Sequence, residues 1–207
     1  RDYYASRGLG DVYKRQMVQS AIMGSIYAEL MLGIENPRVG LLNIGEEETK
    51  GNELTLTTYP LLKAETLINF IGNVEGRDVN KGTVDVVVCD GFVGNVVLKF
   101  AEGLATAIMS MVRDAILREG ILAKVGGLLI KPALRKLKEK LDPEAYGGAL
   151  LLGVRAPFFI CHGSSKAKAI KNAIRAAIDG IKQDICARIE EDIANQTQAD
   201  TVVGRMK

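Results

Sequence analysis

Three short polar stretches carry residue types able to hold an anion and to steady a carbonyl oxygen. The first is Glu46-Glu47-Glu48-Thr49-Lys50-Gly51-Asn52, entered from the apolar run Val39–Ile44 through Gly45. A helical pattern begins at Leu54, so this loop lies at a helix N-terminus, where free N–H groups and the positive dipole end favour an anion. Lys50 adds a full positive charge in the same place, and Gly45, Glu46, Gly51 and Asn52 are the candidate substrate- or phosphate-facing positions around it. A solvated turn has the same composition, and the loop alone fits both. The second stretch, Asp90-Gly91-Phe92-Val93-Gly94-Asn95, pairs two glycines that allow close backbone approach with a neutral amide at the opening of a long helix, about 95–118. Asn95 suits an N-cap and also suits a donor to a carbonyl oxygen, and the two roles are compatible. The third is His162-Gly163-Ser164-Ser165, whose hydroxyls and backbone N–H groups at a helix start fit a phosphate cradle or a plain N-cap. As the third loop to follow a strand, it reads as substrate-facing. His162 is the only histidine; no Ser–His–Asp order accompanies it, so a structural role is favoured over a general base.

The elements that must position these loops are legible in the hydrophobic pattern. Ile22, Ile26, Leu30 and Met23, Tyr27, Met31 recur at steps of four, predicting a helix over 18–32 that stops at Gly33. Short apolar runs predict strands at 39–44, 68–71 and 84–88, the last β-branched almost throughout, with a helix near 53–65 between the first two. This β–α–β order predicts an α/β fold, a mostly parallel sheet flanked by helices in three Rossmann-like layers. In such a sheet, a strand that runs into a polar loop delivers that loop to the carboxyl edge, where ligands bind. A further strand follows Gly147-Gly148, another spans Phe158–Ile160, and a final helix covers about 165–194. Its stripe of Ile170, Ile174, Ile178, Ile181, Ile185, Ile189 and Ile193 predicts one face packed on the sheet.

Between Arg118 and Leu141 the character changes. Seven basic residues, among them Lys131, Arg135, Lys136 and Lys138, face two acids, and leucine and isoleucine are interleaved with them. Gly126-Gly127 and Pro132 are expected to break this stretch into two helical arms, a hairpin protruding from the domain. A basic, apolar hairpin suits peripheral contact with an anionic membrane, and equally the interface of a homodimer.

Composition bounds the rest. At 207 residues, 47% apolar and 25% charged, the chain is long enough for one sizeable core. No run of about 18 uncharged apolar residues marks a membrane-spanning helix. Cys89, Cys161 and Cys186 show no CxxC spacing and read as reduced thiols of a cytoplasmic protein, not as a metal site. A net charge of +2, without an aromatic-studded basic patch, argues against nucleic acid. Residues 1–16 carry three tyrosines and four Lys/Arg with no helical or strand period and no apolar signal core. Their SRGLGDVYKRQ resembles a translated artefact of assembled sequencing reads, so 1–16 are expected to be disordered and foreign to a domain spanning 17–207.

VGLLNIGEEETKGNEL resembles the signature of the acyl-ACP:phosphate acyltransferases, the PlsX family of bacterial phospholipid synthesis. INFIGNVEGRD at 68–78, VDVVVCDGFVGNVVLK at 84–99, YGGALLLGV at 146–154 and HGSS at 162–165 match the same family in the same order. The similarity runs from about Val18 to Asp192 and covers only the family's C-terminal part, since its opening glycine-rich strand–loop has no counterpart here. The resemblance implies transfer of a fatty acyl group from acyl carrier protein to inorganic phosphate, with Lys50 and Asn95 as the catalytic candidates. Phosphate is itself the nucleophile in that reaction, so no activated Ser or Cys, metal or organic cofactor is implied. A short-chain phosphotransacetylase acting on acyl-CoA, and an inactive fragment retaining only membrane or carrier docking, are the competing readings. A dehydrogenase is disfavoured, because no G-x-G-x-x-G follows a strand.

Overall fold

The computed structural model describes residues 2–140, 147–163 and 165–205. Helix α1 (Asp2–Leu32) leads into β1 (Arg38–Asn43), α2 (Glu53–Ala64), β2 (Asn69–Glu75) and β3 (Val86–Val88). Then come α3 (Gly91–Arg118), α4 (Ile121–Lys140), β4 (Ala149–Leu151), β5 (Phe158–Ile160), α5 (Ala167–Lys182) and α6 (Ile185–Arg205). The expected parallel sheet is present: β1 pairs in parallel with β2 on one side and β3 on the other, giving the order β2-β1-β3. β4 and β5 form a separate two-stranded sheet. Where length suggested one core, the chain groups into two compact units. The first comprises residues 1–90, 151–158 and 178–207; the second comprises 91–150 and 159–177.

The core of the first unit is the sheet and the helices against it. Val39 and Leu41 of β1 are fully buried, as are Ile22 of α1 and Leu62 of α2. α1 packs on β1 and β3 and against α2 and α6, and α2 packs on β1 and β2. Close approach is built in by small residues. A Cβ at Gly24 would lie 2.8 Å from Val86 Cγ1, and one at Gly40 would lie 2.7 Å from Val74 Cγ1. α1 ends as its pattern requires, with Gly33 at φ 68° donating its N–H to Glu29 O at 3.1 Å.

Four expectations need correction. Residues 2–16, expected to be disordered, continue α1 as helix; adding a turn to an existing helix avoids the nucleation cost, so no apolar period is needed. α3 begins at Gly91, one turn ahead of Asn95, with Asp90 in the N-cap position. α4 runs unbroken through Gly126-Gly127 and Pro132, and the hairpin turns instead at Glu119-Gly120. Gly127 is there for packing: a Cβ on it would lie 2.5 Å from Ile116 Cγ2 of α3. The final helix divides at Gln183-Asp184, with Asp184 at φ 53°. The four-residue step from Ile181 to Ile185 preserves the apolar period across this break and conceals it. The stripe divides as well. Ile185 and Ile189 are buried, whereas Ile170, Ile174, Ile178 and Ile181 are exposed, and α5 buries Ala169 and Ala173 instead.

At the amino edge of the sheet, Arg38 fastens β1 to the approach of β3. The Asp85 carboxylate accepts from Arg38 N (2.9 Å), Nε (2.9 Å) and Nη2 (3.0 Å), and Asp85 N donates back to Arg38 O at 2.9 Å. These hydrogen bonds hold the Asp85 carboxyl well below its ordinary 3.8, at about 2. A folded-state pKa below the unfolded one stabilises the protein fully above the unfolded value and less as pH falls through the folded one. The melting temperature gap between wild type and Asp85→Asn should therefore close as pH drops from about 4 to about 2. A gap independent of pH over that range would show that the pair carries no such linkage.

Candidate functional site

The loop between β1 and α2 is held by side-chain amides. Asn43, the last residue of β1, donates Nδ2 to Lys50 O at 2.9 Å and accepts Ile44 N on Oδ1 at 2.9 Å, so one side chain ties the two ends of the loop. Asn73 of β2 donates Nδ2 to Glu47 O at 2.9 Å and clamps the middle from below. Asn52 caps α2: its Oδ1 accepts Thr55 N at 2.9 Å while Asn52 N donates to Thr55 Oγ1 at 3.0 Å, a reciprocal capping box. Gly51 stands at φ 114°, and a Cβ there would overlap Thr55 Oγ1 and the Asn43 amide. Gly45 is buried, with Glu47 Oε2 and Lys50 Cγ at 2.8 and 2.9 Å from where its Cβ would lie.

This geometry separates the loop's charges. Lys63 of α2 donates to Glu48 Oε1 at 2.6 Å and Tyr59 donates to the same oxygen at 3.1 Å. The Lys63 ammonium first, and the Tyr59 hydroxyl next, hold the Glu48 carboxyl below the usual carboxylate range. Arg77, just beyond β2, pairs with Glu46 at 3.8 Å and with Glu75 at 2.9 Å. Lys50 is exposed, and its Nζ has no hydrogen bond or ion pair among the described residues. Two of the three acids thus have cationic partners elsewhere, leaving Lys50 uncommitted at the sheet's carboxyl edge. Asn73 and Arg77, which complete the arrangement, lie in the 68–78 motif; only the fold brings that motif beneath the loop.

The remaining predicted residues belong to the second unit. Asn95 is exposed in the second turn of α3, and its amide has no hydrogen bond among the described residues. Its N-cap role is ruled out by the start of α3 at Gly91. A Cβ at Gly91 or Gly163 would meet nothing, so packing does not demand glycine at either; Gly94 is half-buried. His162 is exposed, and its carbonyl accepts Ser165 N at 2.9 Å in the turn before α5. α5 begins at Ala167, leaving Ser165 one position short of the cap. Ser164 and the Lys138 side chain lie outside the described residues. Gly148 of the YGG motif serves packing: a Cβ there would lie 2.7 Å from Ile160 O. A cavity of about 610 Å³ opens in the first unit between α1, the turn at Gly153–Arg155 and α6, and none of the predicted site residues lines it.

A parallel sheet that presents a clamped, charged loop at its carboxyl edge, ahead of a capped helix, places the chain among α/β proteins with a ligand edge of this kind. It belongs to the family described as fatty acid synthesis protein, which matches residues 10–188. Over 184 residues it is 57% identical to the phosphate acyltransferase of Heliobacterium modesticaldum, covering 89% of this chain and 54% of that protein. Over 174 residues it is 56% identical to the phosphate acyltransferase of Aquifex aeolicus, covering 84% of this chain and 51% of that one. The chain spans about half the length of the curated relatives it matches, in keeping with the resemblance to a C-terminal part.

The glycines of the loop make different demands. Gly51→Ala meets both a left-handed φ and the amides that hold the loop, and should destabilise the protein by about 1–3 kcal/mol. Gly45→Ala meets the carboxylate end of Glu47 and Cγ of Lys50, without a left-handed φ or the loop-holding amides, and should cost less. Equal losses for the two in chemical denaturation would contradict the clamp.

Proposed function

We propose that the complete protein transfers a fatty acyl group from acyl carrier protein to inorganic phosphate, giving acyl phosphate and free carrier. The observation that carries this reading is the uncommitted Lys50 ammonium in a loop whose acids Glu46 and Glu48 pair with cations elsewhere. Such a loop can take up an external anion without first breaking an ion pair. In the reaction a phosphate oxygen attacks the thioester carbonyl, the new C–O bond forms, and the C–S bond breaks to release the carrier thiolate, which takes up a proton. In this reading Lys50 of the first unit is the residue for holding the phosphate, and Asn95 of the second, whose amide has no hydrogen bond among the described residues, is the residue for donating to a carbonyl oxygen as it gains charge. Burial, and then the charge of Asp90, push the Cys89 thiol up, a poor setting for a competing thiolate nucleophile.

The α3–α4 hairpin supports a second part of the reading: peripheral contact of this cytoplasmic enzyme with an anionic membrane. Ile121, Leu122 and Leu129 are 83%, 88% and 77% exposed, and Lys131, Arg135 and Lys136 are exposed on the same helix, α4. Among the described residues, α3 alone is long and apolar enough to cross a membrane by length and composition, and none of that stretch is buried. An acyl phosphate carries a long apolar chain, and a site beside the bilayer keeps that product out of water.

In a protein completed to the length of its relatives, Lys50→Ala and Asn95→Ala should each lower turnover by about 10²–10³ without unfolding it. Turnover like wild type in both would return the residues to a solvated turn and a helix surface. A preference for acetyl-CoA over the acyl carrier thioester would point instead to a short-chain phosphotransacetylase. For the hairpin, replacing Lys131, Arg135, Lys136 and Lys138 by Gln should abolish co-sedimentation with anionic vesicles, since each basic residue contributes about 1 kcal/mol there. Binding should also weaken with salt. If wild type does not bind vesicles, or the variant only dissociates into monomers, the hairpin is a homodimer interface.

A further inference from the structure

Glu48 is held by the helix that follows its loop. Tyr59 and Lys63 stand four residues apart on α2, hence on one face, and both donate to Glu48 Oε1, at 3.1 and 2.6 Å. The sheet supports the pair that does this. The Tyr59 ring packs edge-on against Phe70 of β2, with centroids 5.3 Å apart at 74°, and the Lys63 ammonium lies 5.8 Å from the centre of the same ring. The loop, α2 and β2 are thus linked through one carboxylate. The other acids leave the loop little positive charge. Glu46 pairs with Arg77, which also holds Glu75. Glu47 Oε2 and Lys50 Cγ lie 2.8 and 2.9 Å from the same point, the place of a Cβ on Gly45, so one carboxylate already stands beside the Lys50 stem. A second unpaired carboxylate, two residues from Lys50 in the chain, would turn the balance of the loop against an incoming anion.

We infer that Lys63, aided by Tyr59, is a positioning residue for anion uptake at this loop: it keeps the Glu48 charge paired on the α2 side, so that the Lys50 end stays attractive to phosphate. Lys63 itself need not touch the anion. The inference rests on the reading of the loop as the phosphate site. Both side chains of the pair are mostly exposed, 61% for Lys63 and 57% for Glu48, so its contribution to stability is small. Its effect falls instead on the charge that the loop presents.

The test is thermal denaturation of the 207-residue chain over a range of inorganic phosphate, against sodium chloride at matched ionic strength. Wild type should gain melting temperature with phosphate beyond the chloride control. Lys63→Met keeps the stem and removes the charge; it should need about three- to fivefold more phosphate for the same gain, the scale of an exposed charge pair. Adding Glu48→Gln to that variant removes the carboxylate left unpaired and should restore the wild-type response. Glu48→Gln alone leaves Lys63 unpaired and should need less phosphate than wild type, which tests the inference even if Lys63→Met folds poorly. A strap with no part in anion uptake would lower the melting temperature in chloride and leave the phosphate dependence unchanged. That result, or a double variant no better than Lys63→Met, would overturn the inference. If Lys50→Gln loses the response while Lys63→Met keeps it whole, the loop remains the phosphate site and only the role of Lys63 is wrong. If wild type shows no response beyond chloride, or Lys50→Gln responds like wild type, the loop reading fails and the inference with it.

Discussion

β1 is hydrogen-bonded in parallel on both sides, and that double pairing determines where chemistry can sit. β1 is paired with β2 along its length and with β3 over Val39–Leu41, and the loop after it emerges at the middle of the carboxyl edge. Glycine at position 40 allows Val74 and Val84 to close over that strand, and Arg38 with Asp85 fixes its opposite end. Lys50, the Glu46–Glu48 run and the cap of α2 inherit their positions from this strand.

Asparagine amides do most of the holding at the loop. Asn43, Asn52 and Asn73 each bind backbone groups and so fix the path of the chain without adding charge. The charges are then sorted by pairing: Glu48 with Lys63, Glu46 with Arg77. An aspartate at any of the three asparagine positions would alter the electrostatics that leave Lys50 available, which is why neutral amides suit this loop.

The first unit was the more legible in sequence. The C-terminal end of α1, the ends of β1 and the start of α2 fell within a residue or two of expectation, because Gly33, Gly45 and Asn52 announce turns and caps by their own chemistry. What escaped was long-range or periodic. Asn73 lies 26 residues from Glu47, and no local pattern links them. The break at Asp184 keeps the isoleucine period, and α4 absorbs two glycines and a proline that would stop a less supported helix. The exposed isoleucines of α5 depart most from the sequence pattern, which reads them as packed on the sheet. Periodicity identifies an apolar face but not what covers it, and this chain spans only about half the length of its relatives.

The central claim is that inorganic phosphate is the nucleophile at the Lys50 loop. Its most direct test follows the oxygen atoms: a completed protein is given an acyl carrier thioester and phosphate labelled with oxygen-18, and the product is weighed by mass spectrometry. The account predicts acyl phosphate that retains every labelled oxygen, with one carrier thiol released per molecule formed. Thioester cleavage at an undiminished rate without phosphate, or a product that has lost label, would contradict it.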